Sequence, residues 1–225
     1  MTPAAPAALP RRDPETRARL REIAGRSRPV TLAREQSLTV TGRLGEALPL
    51  GALQRGTVVA VDGARGAGAT SVAFSLVAAV TATGEWAAAV ELEGTLGLEA
   101  AARAGVALER FAVVRCGSRD RWATTVATLL DGVTLVLAEV PPHARAGDVR
   151  RLVARARERG AVLVALPAPG ARWPGDATLR LVAAGGCWPG LARGGGLLEE
   201  RVLRLTISGK GAAARAHEAE LARAG

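Results

Sequence analysis

From Thr57 onward the chain alternates between short, nearly continuous apolar runs and longer amphipathic stretches. Apolar runs fall at 57–61, 86–92, 111–114, 133–138 and 161–166. Patterns with helical spacing lie between them at 70–83, 97–104, 120–130 and 145–159. Strands that alternate with helices make βαβ units. Runs that are apolar on both alternating positions belong to strands covered on both faces. The pattern therefore predicts an α/β fold with a mostly parallel central sheet flanked by helices. After residue 166 the rhythm changes to a Pro/Gly loop (167–175), a short strand (178–182), a glycine-rich stretch (185–196) and a strand (201–208). Two strands around a glycine loop predict an antiparallel extension at the sheet edge.

Ahead of this core, residues 1–12 are Pro/Ala-rich and are expected to be disordered. Residues 13–50 hold a short basic helix at 14–23, capped by Asp13 with Pro14 in its first turn, then a connector with a strand-like piece at 38–41. The core is expected over 51–209. The tail, 210–225, is rich in Ala, Arg and Glu and reads as helix or coil, a basic and mobile terminus.

The glycine spacing after the first core strand adds chemistry. Residues 63–71 read Gly-Ala-Arg-Gly-Ala-Gly-Ala-Thr-Ser. A phosphate-binding loop, G-x-x-x-x-G-K-[ST], has this frame, with Gly63, Gly68 and Thr70 in register and Ala69 where the lysine belongs. The glycines Gly63, Gly66 and Gly68, with Thr70 and Ser71, can still cradle an anion through backbone N–H groups and the helix start. The missing lysine removes a charge-assisted hydrogen bond, which weakens nucleotide binding by about tenfold to a hundredfold. Arg65 is a bulkier candidate replacement.

A nucleotide hydrolase also needs an acid ending a central strand. In Thr134–Glu139 the expected position is Ala138, and strict alternation turns Glu139 to the other face. Glu91 and Glu93, ending the second strand, are expected to share a face, where one orients water or both are simply solvated.

Composition narrows the partners. The chain has 225 residues and a formal net charge of +9, carried almost entirely by arginine, with Lys210 the only lysine. An anionic partner is one reading, and codon bias in a soluble protein is the other. Cys116 and Cys187 fit no CxxC pattern, and His143 and His217 form no ligand motif, so no metal site is expected. Unpaired thiols and the lack of an apolar signal segment predict a cytoplasmic protein with no membrane contact.

Several stretches resemble the RecA core: Gly51–Gly56 leading into the strand and loop 57–71; Ala87–Arg115 with Glu91-x-Glu93 and Ala104–Phe111; and Arg201–Leu221. The resemblance spans about residues 14–221. It implies a RecA-like P-loop NTPase core, with Glu93 at the water-activating position and Lys210 at a lysine that reaches a neighbouring subunit's nucleotide. The departures are Ala69, Ala138, Leu166-Pro167 in place of a nucleotide sensor, and a short DNA-binding loop. A RecA core so altered, in an Arg/Ala-rich chain, resembles the ImuA family of actinobacterial ImuA-prime type. That resemblance implies a non-hydrolysing adaptor in SOS-induced mutagenic translesion DNA synthesis. Its implied partners are an ImuB-like Y-family protein, a C-family error-prone polymerase, RecA and DNA. The alternatives are a nucleotide-dependent DNA-binding ATPase and a regulator that caps RecA filaments.

The binding candidates each carry two readings. Arg172 and Trp173 either meet phosphate and stack on a base, or Trp173 anchors its loop to the core. Arg150 and Arg151 belong to an arginine-rich helix face that either meets DNA or an acidic partner, or is merely solvated. Arg17 and Arg21 on the N-terminal helix either dock a partner or pack against the protein itself. Lys210 and Arg215 make the tail a further candidate.

Overall fold

The computed structural model describes residues 36–189, 195 and 200–224. The first elements close on each other: β1 (Ser37–Thr39), α1 (Gly42–Ala47) and β2 (Ala52–Gln54). β1 and β2 pair antiparallel, Leu38 opposite Leu53, across the boundary expected at 50/51. The strand-like piece expected at 38–41 is β1; the helix α1 and the pairing with β2 are what the connector's weak periodicity did not announce. The predicted helix at 14–23, with Arg17 and Arg21, lies outside the described residues.

The alternation then follows: β3 (Val58–Gly63), α2 (Ala69–Thr81), β4 (Ala87–Glu91), α3 (Leu98–Arg103), β5 (Phe111–Arg115), α4 (Trp122–Leu130), β6 (Leu135–Val140), α5 (Ala146–Arg159) and β7 (Val162–Pro167). The apolar runs form these strands because no residue in them must reach water; β4 and β7 are buried throughout. α5 shows the amphipathic logic most clearly. Val149, Leu152 and Ala156 are buried, the arginines point outward, and Gly160 ends the helix in a left-handed conformation at φ 66°.

Three more strands complete the sheet: β8 (Leu179–Cys187), β9 (Glu200–Gly209) and β10 (His217–Ala224). The order across the eight strands is β10-β9-β8-β3-β7-β6-β4-β5. β8, β3, β7, β6, β4 and β5 run parallel to one another, β9 adds antiparallel to β8, and β10 antiparallel to β9. The fold is α/β with a mostly parallel mixed sheet, helices on both faces and an antiparallel edge. The tail expected as helix or coil is instead a strand, with Leu221 buried opposite Leu203. Its alternating Ala219 and Leu221 cover the end of the core, which outweighs the helix propensity of an Ala/Glu/Arg segment.

Two apolar layers sandwich the sheet. One contains α2 and the odd positions of β6, Leu135 and Leu137; the other contains α4, α5 and the even positions Val136 and Ala138. With few aromatics, Ala, Val and Leu fill both layers. Phe74 and Phe111 supply one edge-to-face pair, 6.5 Å between centroids. β8 bulges between Ala183 and Gly186, where a Cβ on Gly186 would lie 2.0 Å from the Val202 carbonyl oxygen, so only glycine fits. Among the described residues no helix is long and apolar enough to cross a membrane.

Candidate functional site

The carboxyl end of β3 lies where the chain's direction of progress across the sheet reverses. From β3 the chain moves through α2 to β4 on one side, and later returns through β7 to β8 on the other. Such switch points open a crevice at the strand ends. Here the crevice is a cleft of about 440 Å³, floored by residues 63–71 and walled by Glu93, Thr95, Arg119, Glu139 and Arg201.

The loop is a strand–turn–helix corner built on glycine. Gly66 and Gly68 take φ of 76° and 101°. A Cβ on Gly63 would press on the Ala183 carbonyl oxygen at 3.2 Å, and one on Gly68 would strike Leu203 at 2.7 Å. The Gly63 carbonyl accepts from Gly170 N at 3.1 Å, which ties the corner to the loop after β7. Gly63, Gly66, Gly68, Thr70 and Ser71 therefore come together as the spacing predicts. α2 starts at Ala69 with no side-chain cap on its first turn, so its leading N–H groups stand at the cleft floor.

The acids around this floor are engaged. Glu139 lies inside β6 and on the α2 side, the side of the loop; the expectation that it turned away is corrected. β6 continues to Val140, so residue 139 keeps the facing of Leu135 and Leu137, and Ala138 faces α4 and α5. The two Glu139 oxygens accept from Leu92 N at 2.6 Å and the Thr95 hydroxyl at 2.9 Å. Glu91 and Glu93 do not share a strand face, because β4 ends at Glu91. Glu91 is buried and accepts from Arg115 Nε at 3.0 Å, whereas exposed Glu93 lies 3.6 Å from Arg119. Among the described residues no three His, Cys, Asp or Glu side chains are grouped to hold a metal ion.

The cation at the loop comes from an unforeseen place. Arg201, at the head of β9, donates from Nη2 to the Gly66 carbonyl at 2.6 Å. Its guanidinium lies 5.9 Å from the Trp188 ring centre, and its Nε is buried with no acceptor among the described residues. No motif marks Arg201, which is 135 residues from Gly66 in sequence. The legible signal is register: Arg201 shares a β9 face with Leu203, Leu205 and Ile207, all buried. An arginine heading a buried face has something to hold. Arg65 also lines the cleft. For a phosphate-bearing ligand the donors fit in kind: backbone N–H groups, the Thr70 hydroxyl and a guanidinium.

The other candidates scatter. Trp173 is 3% exposed and donates from Nε1 to the Asp176 carbonyl at 3.3 Å; of its two readings, the anchor describes it. Close by, buried Asp62 pairs with half-buried Arg180, which also reaches the Trp173 carbonyl. Arg172 is exposed. On α5, Arg151 pairs with Asp148 while Arg150 is exposed. Arg155 grips both oxygens of Asp131 at 2.6 Å, and Arg159 adds a third bond at 3.1 Å. These bonds, that from Arg155 first, hold the Asp131 carboxyl below its ordinary range. Part of the arginine face is thus neutralised locally. Lys210 pairs with Asp176 at 3.1 Å, and its N–H donates to the Thr178 carbonyl. Thr178 in turn bonds Val58 at the start of β3. Lys210 therefore sits at the opposite pole of the sheet from the loop and cannot serve it within one chain. Arg215 is exposed ahead of β10.

Fold and cleft define an α/β protein with a glycine-cornered loop at the carboxyl edge of its parallel sheet. A family model described as the MT3502 N-terminal domain matches residues 46–175, from α1 through the loop after β7. That is more than half of the chain, and the chain belongs to this family. No curated protein matches it.

Proposed function

We propose that this chain is a RecA-like body of the ImuA type that acts as a non-hydrolysing adaptor in mutagenic translesion DNA synthesis. One observation carries the non-hydrolysing part of the reading. The loop keeps its glycine corner, while Ala69 replaces the phosphate-binding lysine and Glu139 spends both oxygens on Leu92 and Thr95. A carboxylate so committed is a poor holder of metal water, and hydrolysis needs that group and the lysine together. The docking part rests on the resemblance to ImuA, with an ImuB-like Y-family protein as first partner, and a C-family polymerase, RecA and DNA as further ones.

Two measurements test the proposal together. Purified protein is expected to show no steady-state ATP turnover above a Thr70→Ala control. It is also expected to co-purify with an ImuB-like protein from a two-component mixture. Turnover that collapses in Thr70→Ala or Glu93→Ala, or no complex at micromolar concentrations, would sink it.

A second reading is favoured by Arg201. Its guanidinium at the Gly66 carbonyl brings a cation to the loop in place of the lost lysine, which supports weak binding of a nucleotide or another phosphate-bearing anion without hydrolysis.

A further inference from the structure

Five ionisable side chains line the glycine-loop cleft: Arg65, Arg119 and Arg201 against Glu93 and Glu139. Glu93 is offset by Arg119, 3.6 Å away. Arg65 and Arg201 form no ion pair among the described residues. Arg65 is exposed. Arg201 is held by the Gly66 carbonyl, which accepts from Nη2 at 2.6 Å, and that contact spends one of the five guanidinium donors. Both cations therefore stand at the loop, beside the leading N–H groups of α2. The acidic wall is arranged differently. Glu139 accepts from Leu92 N at 2.6 Å with one oxygen and from the Thr95 hydroxyl at 2.9 Å with the other. Its charge thus fixes the segment after β4. A magnesium ion on a phosphate chain is ordinarily held by a carboxylate of this kind, in a demanding octahedral shell. To use Glu139 it would have to displace those bonds, each worth about tenfold to a hundredfold in affinity. Thr70, also on the cleft, would offer it a single neutral oxygen.

We infer that this cleft takes a phosphate chain as the free, metal-uncomplexed anion. Arg65 and Arg201 supply the positive charge that a magnesium ion and a lysine supply in a hydrolase. The ligand class is inorganic pyrophosphate or the bare di- or triphosphate chain of a nucleotide. Guanidinium forks match phosphate oxygens two at a time, so the pair suits two adjacent phosphoryl groups. A magnesium complex is the poorer ligand. It presents less negative charge, and it sets a hydrated cation against two arginines. The inference rests on the phosphate-anion reading of the loop and adds the form in which the anion binds.

The test is equilibrium dialysis of the full chain against radiolabelled pyrophosphate in two buffers of equal ionic strength. One contains EDTA and the other contains magnesium in excess over pyrophosphate. Saturable binding is expected in EDTA, and binding weaker by about tenfold or more in magnesium. In EDTA, Arg201→Ala and Arg65→Ala are each expected to weaken binding by about tenfold. Arg65 is exposed, so its variant reads the charge without disturbing the packing. Magnesium that strengthens binding or leaves it unchanged overturns the inference, while the anion reading of the loop stands. Wild-type affinity in both arginine variants also overturns it, because the anion then sits elsewhere. No binding at millimolar pyrophosphate in either buffer removes the inference and the anion reading together.

Discussion

Single residues decide what the glycine loop can do. Arg201 contributes a side-chain hydrogen bond to the loop, spending one donor on the Gly66 carbonyl. Arg201→Ala is expected to weaken nucleotide or pyrophosphate binding by about tenfold, the worth of one charge-assisted hydrogen bond, measured by calorimetric titration. Ala69→Lys is expected to raise the same affinity by about tenfold to a hundredfold without starting turnover, because Glu139 remains committed. Gly68 is held differently: its φ of 101° and its closeness to Leu203 both exclude a side chain. Gly68→Ala should cost about 1–3 kcal/mol, read as a shifted denaturation midpoint, and less in a Leu203→Ala background where the clash is gone. Asp131 gives a pH signature. Its carboxyl is depressed in the folded chain, chiefly by the Arg155 hydrogen bonds, so its contribution is present above the unfolded value near pH 4. It is lost as pH falls through the folded value. The stability gap between wild type and Asp131→Asn is expected to be full at pH 6 and to close towards pH 2, followed by urea denaturation.

Elements were legible in proportion to how fully their surroundings were written into their own residues. The strands β3 to β7 are buried on both faces, and their apolar runs say so without reference to anything distant. α5 declares itself by one apolar stripe. β10 does not, because Ala-Glu-Leu-Ala-Arg suits a helix locally, and only the exposed edge of β9 makes it a strand. Glu139 is hard to place for a related reason: alternation along β6 holds, but an apolar run does not say which of its two faces meets the glycine loop. Of the cleft, the loop's own glycines were readable from spacing. Arg201 was not, because its role depends on an antiparallel pairing that no local pattern encodes. The strand assignment of the tail has a direct test. Truncation after Ala216 should cost about 2–3 kcal/mol from the loss of buried Leu221 and its pairing, seen as a lower urea midpoint with a smaller m-value.

At the scale of the whole molecule, chemistry and charge are separated. The glycine loop and its cleft occupy the carboxyl edge of the parallel sheet. The arginine-rich α5 lies on one face, and the antiparallel edge closes the far side of β3. The family match stops at residue 175, before β8, β9 and β10, so the part of the chain that supplies Arg201 lies outside it. A relative that keeps the loop and carries another residue at the head of β9 is expected to bind nucleotide or pyrophosphate about tenfold more weakly than this chain, as Arg201→Ala does, while keeping the fold. The lone lysine adds a practical corollary. Lys210 is exposed and stands at the pole of the sheet away from the loop. Amine-selective reagents therefore have a single side-chain address on the folded body. A dye or cross-linker placed there leaves the cleft chemically untouched. Every cross-link recovered from that side chain then reports a neighbour at one known point on the surface, which turns an impoverished composition into a ready-made surveying mark.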